Sequence, residues 1–268
     1  MKERVISAGI GLVILFMVLF STNYILRLSV SLVTILGLVE LYKSFGFYKN
    51  KVLSVLACIM PTLVIFINIL DRKYFLPVLY VYVLILFVSL ILKSKEISIK
   101  DVSLILSLTA VITFFFFYVA IIRDMENGSI YIWAVFIAGW LTDTFAFFSG
   151  MFFGRHKLAP LVSPKKTIEG SIGGILGSTL GFLVYGYIVE NFIGGMSANY
   201  LYLAILGVFG SIIAQIGDLS ASAMKREYGI KDFGNIMPGH GGILDRFDSI
   251  IFVAPFVYYF ITYFNIFY

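Results

Sequence analysis

Val102-Ser-Leu-Ile-Leu-Ser-Leu-Thr-Ala-Val-Ile-Thr-Phe-Phe-Phe-Phe-Tyr-Val-Ala-Ile-Ile122 runs for 21 residues between Asp101 and Arg123 without a charged side chain. As a helix at about 1.5 Å per residue it covers about 30 Å, the hydrocarbon thickness of a bilayer. Similar runs, broken by charged or turn-forming residues, flank it on both sides. The candidate spans are 4–21, 25–42, 52–70, 74–92, 102–122, 130–151, 171–190, 200–224 and 247–267. Composition agrees: 60% of the 268 residues are hydrophobic and 13% charged, with a mean hydropathy of +0.98. A soluble domain carries about 25% charged residues. A water-soluble fold could not hide this much apolar surface, so the bilayer is the solvent. The expected fold class is all-α: a polytopic integral membrane protein with about nine transmembrane helices.

The formal charge of +5 would suggest nucleic acid in a soluble protein. In a membrane protein it is better explained by Lys and Arg retained in cytoplasmic loops beside anionic lipid, so no nucleic-acid partner is expected. With the N-terminus inside, 16 of the 20 basic residues face the cytoplasm, Lys49, Lys51, Lys165 and Lys166 among them. Only Arg27, Arg72, Lys73 and Arg123 fall outside. This bias predicts N-in, C-out in a bacterial inner membrane, with the long polar loops 152–170 and 225–246 sharing the cytoplasmic face. Met1 to Arg4 followed by apolar Val5 to Phe20 resembles a signal peptide, but no small-residue cleavage site follows, so it reads as a retained first span. Cys58 is the only cysteine, which excludes an intrachain disulfide and a Cys-based zinc site; it reads as a small core residue.

The chain changes character along its length. Residues 1–125, about five spans, are repetitive Leu/Ile/Val/Phe with short basic loops and no acidic residue deep in a span; they read as scaffold or as a homodimerisation surface. Residues 126–268, about four spans, bring polar residues into the membrane from about Trp133 onward and form the expected catalytic region. No clear internal repeat is present, which argues against an inverted-repeat transporter. Gly173, Gly177 and Gly181 recur every four residues and predict close helix packing. The Phe114–Phe117 run is lipid-facing or packing material, and His156 a cytoplasmic surface residue.

Two carboxylates lie inside spans: Asp143 in Trp140-Leu-Thr-Asp-Thr-Phe145 and Asp218 in Gln215-Ile-Gly-Asp-Leu-Ser220. Charge there costs about 2.5–3.5 kcal/mol on insertion scales and should face protein, water or a cation. Helical spacing places Ser222, Lys225 and Arg226 on one stripe with Asp218, a poor face for lipid and a good one for a metal below phosphates. Then comes Lys225-Arg-Glu-Tyr-Gly-Ile-Lys-Asp-Phe-Gly-Asn-Ile-Met-Pro-Gly-His-Gly-Gly-Ile-Leu-Asp-Arg-Phe-Asp248. Gly239, Gly241 and Gly242 permit positive φ and close approach of a ligand. They lead into a helix start, where free N–H groups and the helix dipole favour anions. Asp245 and Asp248 share one face of that helix and can ligate Mg²⁺ together with substrate phosphates. Lys225, Arg226, Lys231 and Arg246 supply cations for phosphate oxygens, and His240 a ligand contact.

The run from Ser222 to Asp248 resembles the hallmark of the phosphatidate cytidylyltransferases, the CDP-diacylglycerol synthases. A second segment is similar to that family: Trp140 to Pro160, followed by Ser163-Pro-Lys-Lys-Thr-Ile-Glu-Gly170. The likeness covers roughly residues 133–255; this chain has Phe145 and Phe147 where family members often have a polar aromatic. The resemblance implies CTP and phosphatidate as substrates, CDP-diacylglycerol and pyrophosphate as products, and Mg²⁺ as cofactor, with a second metal ion left open. It implies Asp218, Asp245 and Asp248 as metal ligands, with Lys225 and Arg226 beside them as catalytic residues. Asp143 is a further ligand or orients a lysine. Substrate contacts fall to Lys166, Ser222, Lys231, His240, Gly241, Gly242, Arg246 and Asp143. One rival is a CTP-dependent kinase of a polyprenol-type lipid alcohol, which releases CDP and needs a general base. A farther rival is an ion-coupled transporter using Asp143 and Asp218, against which the 225–248 run argues.

Overall fold

The computed structural model describes residues 2–47, 55, 59–66, 72–193, 195–237 and 239–268. Among these residues the chain is a series of helices: α1 (Lys2–Leu19), α2 (Asn23–Ser44), α3 (described over 59–66), α4 (Phe75–Leu92), α5 (Ile99–Asp124), α6 (Gly128–Phe153), α7 (Ile168–Ile188), α8 (Tyr200–Glu227) and α9 (Leu244–Tyr263). The expected all-α polytopic class is therefore the observed one. Six of these helices, α2 and α4 to α8, are long and apolar enough to cross a membrane, α7 doing so with the π-turn Val189–Ile193 that extends it. The count of nine spans is not reached on that criterion. The apolar part of α1 is only Gly9–Leu19, and α9 opens on Asp245, Arg246 and Asp248. Much of the expected span 52–70 lies outside the described residues, as do Cys58, Lys49 and Lys51.

Helix starts follow from capping chemistry. The hydroxyl of Thr22 accepts from Ile25 N, that of Thr167 from Gly170 N, and the side chain of Asn199 from Tyr202 N. Each satisfies an amide that the first helical turn leaves without an internal partner. The polar segment between α6 and α7, expected to be loop throughout, contains an antiparallel hairpin of β1 (Lys157–Ala159) and β2 (Ser163–Thr167).

The chain divides into two compact units: Met1–Ala120 with Ile230–Arg246, and Ile121–Gly229 with Phe247–Tyr268. In the first, Leu38 and Leu41 of α2, Ile65, Leu86 and Ile105 are buried. The Tyr42 and Thr109 hydroxyls are hydrogen-bonded to each other there. Arg27, grouped with the outer basic residues on sequence, is buried in α2, and its guanidinium donates to the Ile65 carbonyl. Of the phenylalanine run, Phe116 is buried and Phe114 exposed.

In the second unit α6, α7 and α8 pack along one another. The glycine spacing accounts for the closeness: a Cβ on Gly173, Gly177 or Gly181 would overlap Ser149, Phe145 or Leu141 of α6. Gly207 of α8 approaches the Thr179 backbone in the same way, at 2.6 Å for a built Cβ. Small residues at such crossings let backbones meet where lipid offers no hydrophobic drive for association. At one end of this unit, Asn199 N donates to Ile266 O and Ser197 exchanges backbone hydrogen bonds with Tyr268. The hairpin and the C-terminal end of α8 come together through Arg226, whose Nε donates to Val162 O at 3.3 Å.

Candidate active site

The charged residues singled out in the sequence fall into two groups, one in each unit. In the second unit, Asp143 of α6, Lys165 and Lys166 of β2, and Gln215 and Asp218 of α8 line a cavity of about 360 Å³. Lys166 forms a salt bridge with Asp218, each side chain about a quarter exposed. Thr167, the next residue, caps α7, and Arg226 of α8 donates to the Val162 carbonyl just before β2. His156, expected to be a plain surface residue, pairs through Nδ1 with Glu169 Oε1 at 2.6 Å, while Glu169 also accepts from Arg155 N. That exposed pair closes the turn from α6 into β1.

Gly217 lets α8 and α9 meet, since a Cβ there would stand 2.7 Å from the Asp248 carbonyl oxygen. Lys225, two helical turns beyond Asp218, places Nζ 3.7 Å from Asp248 Oδ2, the side chains 10% and 13% exposed. Asp143 and Asp218 also act electrostatically on Asp248. Ser249 joins two of these acids: its hydroxyl donates to Asp143 Oδ2 at 3.0 Å and its amide to Asp248 Oδ1 at 2.9 Å. Ser249 went unremarked in the sequence; its signal is a hydroxyl directly after Asp248 in a helix otherwise turning apolar. Gln215 donates to Ser171 O and Ser211 Oγ at the cavity wall. Ser222 is half-buried one turn past Asp218, and Arg226 is exposed at the end of the same helix.

Chemically, three carboxylates, Asp143, Asp218 and Asp248, stand with two lysines, Lys166 and Lys225. Lysine ammonium groups suit phosphate oxygens as point charges. Among the described residues no three or more His, Cys, Asp or Glu side chains form a ready-made metal centre. The donors still fit Mg²⁺, which takes oxygen ligands and characteristically uses one or two carboxylates plus substrate phosphates and water.

The first unit holds the remaining candidates. Gly239 and Gly241 have φ of +75° and +86°, the left-handed region only glycine enters at no steric cost. Asp245 is buried, and its Oδ2 accepts from Phe233 N at 2.8 Å and Gly242 N at 3.0 Å. His240 Nδ1 is hydrogen-bonded to Ser7 Oγ of α1 at 2.9 Å. Lys231 and Arg246 are exposed. Two expectations are corrected here. The N-terminal half does contain an acid inside a span: Glu40 of α2 is 2% exposed. Moreover, the amides at the start of α9 are not open to an incoming anion, the role foreseen for the Gly241–Gly242 step. Glu40 Oε1 accepts from Ile243 N at 3.0 Å and Oε2 from Leu244 N at 3.1 Å. A Cβ on Gly242 would overlap the Glu40 carboxylate. Of the three acids expected as metal ligands, Asp218 and Asp248 belong to the second unit and Asp245 to the first, Asp245 and Asp248 lying one turn apart on α9.

The family model described as "Cytidylyltransferase family" matches residues 2–264. The chain belongs to the cytidylyltransferase family. Membership extends through the helices before residue 125, for which the sequence resemblance rested on hydropathy alone. Relatives named phosphatidate cytidylyltransferase are similar over nearly their whole length. That of Bacillus subtilis (strain 168) is 32% identical over 276 residues, 99% of each chain. That of Staphylococcus epidermidis is 37% identical over 263 residues, covering 95% of this chain and 96% of the relative. That of Staphylococcus haemolyticus is 36% identical over 262 residues, with the same coverage.

Proposed function

We propose that this chain transfers the cytidylyl group of CTP to phosphatidate, giving CDP-diacylglycerol and pyrophosphate. The observation that carries the reading is the pairing of Lys166 with Asp218 and of Lys225 with Asp248 beside the Asp143-lined cavity. A phosphate oxygen of phosphatidate attacks the α-phosphorus of CTP, and the bond from that phosphorus to the bridging oxygen of the β-phosphate breaks. The nucleophile is already anionic, so no strong general base is needed. The barrier lies in bringing two polyanions together and in the charge on departing pyrophosphate. Lys166 and Lys225 meet both demands by exchanging a carboxylate partner for phosphate oxygens. Asp218 and Asp248, released from those lysines, would hold Mg²⁺, which offsets phosphate charge when bound. Asp143, held by Ser249, keeps the acidic wall of the cavity in place.

The 16-to-4 distribution of basic residues supports a cytoplasmic site in a bacterial inner membrane, reached by CTP from water and by the lipid from the leaflet. The test is incubation of purified protein with labelled CTP, phosphatidate and Mg²⁺. Lipid-linked cytidine with stoichiometric pyrophosphate, dependent on phosphatidate, is the expected result. CDP accumulation with a lipid that gains one phosphate would replace this reading with the lipid-kinase one.

A further inference from the structure

We propose that Glu40, on the second helix, is a positioning residue for the glycine-rich segment 230–246: an internal anion that occupies the amide cradle at the start of α9. A buried carboxylate is tolerated only where hydrogen bonds replace its water. Glu40 has that replacement, one oxygen on Ile243 N and the other on Leu244 N, and it is 2% exposed. The cradle is shaped for it on two sides, because a Cβ on either Gly234 or Gly242 would overlap the carboxylate. Asp245 completes the arrangement by accepting from Phe233 N and Gly242 N, so the segment is closed on itself while Glu40 pins its exit. Ser44, one turn further along α2, donates to the Phe233 carbonyl at 2.6 Å and pins the same segment near its start.

The consequence is twofold. The exposed cations Lys231 and Arg246 are carried on a segment whose backbone is fixed from α2 rather than free to follow a ligand. The helix start, otherwise a strong anion site, is filled by the chain's own carboxylate, so a polyphosphate is left to the lysines. The catalytic part of this inference rests on the cytidylyltransferase reading above; the structural part does not.

The experiment uses full-length protein in lipid-supplemented micelles with Glu40→Ala and Glu40→Gln. Removing the carboxylate leaves a hole lined by two N–H donors that formate can refill. For Glu40→Ala we expect faster amide exchange at Ile243 and Leu244. We also expect a fall in kcat of about tenfold to a hundredfold, the size of a lost charge-assisted contact, with the KM for CTP nearly unchanged. Formate should restore both exchange protection and kcat; chloride at the same ionic strength should restore neither. Where Glu40→Ala does not fold, Glu40→Gln, of the same volume but with only one acceptor oxygen, should show the faster exchange and reduced kcat. A folded variant with wild-type exchange at these amides overturns the proposal, as does a loss that formate leaves untouched. If the wild type makes no CDP-diacylglycerol, the reaction reading fails while the exchange result still decides the role of Glu40.

Discussion

Lys225→Met isolates the electrostatic core of the site. Its ammonium lies 3.7 Å from Asp248 with both side chains nearly out of solvent. At that separation and an effective dielectric of about 20, the attraction is about 4 kcal/mol. Desolvation of the two groups offsets much of it, so the intact pair adds little net stability. Removing one member is another matter, because Asp248 is left facing Asp143 and Asp218, charges of its own sign. Breaking a buried pair from one side costs about 3–5 kcal/mol. Lys225→Met should therefore lower the unfolding free energy by that order. The double variant Lys225→Met/Asp248→Asn removes the orphaned charge and should recover about 2 kcal/mol relative to additivity. The assay is denaturant titration of the purified protein in mixed micelles, followed by tryptophan emission or helical circular dichroism. All variants should lose turnover, since cation and carboxylate both belong to the proposed chemistry. Strictly additive stabilities would refute the reasoning, showing that Lys225 and Asp248 do not feel each other across this gap.

Gly177→Leu should prevent assembly of α6 against α7, because even a Cβ at residue 177 overlaps the Phe145 ring. Overpacking costs about 1–3 kcal/mol where neighbours can shift and more where they cannot; wild-type thermal stability in micelles would show that the helices are farther apart than described. A cysteine replacing Leu161, 93% exposed at the hairpin tip, in a Cys58-free background should react with an impermeant thiol reagent only from the cytoplasmic side. Labelling from outside in intact cells would overturn the orientation.

The helices were legible because the bilayer imposes one rule everywhere: apolar for about 20 residues or stay in water. Boundaries such as 74–92 and 102–122 accordingly fall within a few residues of Phe75–Leu92 and Ile99–Asp124. The four-residue glycine rhythm was equally readable, since only helical spacing gives it meaning. The hairpin at 157–167 was not. Its strands are too short for an alternating pattern, and its geometry depends on contacts far along the chain, such as Arg226 with Val162. Arg27 shows the same limit at a helix end. A cation near a span boundary counts toward topology whether it faces water or, as here, a carbonyl of another helix.

The site divides along the same line. Asp143 and Asp218 announce themselves because charge among apolar residues is expensive and must be matched; helical spacing and the polar run 225–248 then point to Lys225 and Asp248. What spacing cannot say is which partner a charge already has. The amides at the start of α9 looked available to phosphate because the four unsatisfied N–H groups of a helix start are a general property. Glu40, some 200 positions away, takes two of them, and a long-range pairing of that kind leaves no local trace. Its one signal was thermodynamic: a carboxylate near the end of the apolar stretch of α2 needs partners, and in the sequence only Lys43, one turn further on, stands near it. Ser249 escaped for the converse reason. A hydroxyl in a membrane helix can bond its own preceding turn at no cost, so nothing obliged it to reach Asp143. Glu40→Ala with formate is the measurement that decides whether this long-range pairing holds the segment 230–246 as proposed.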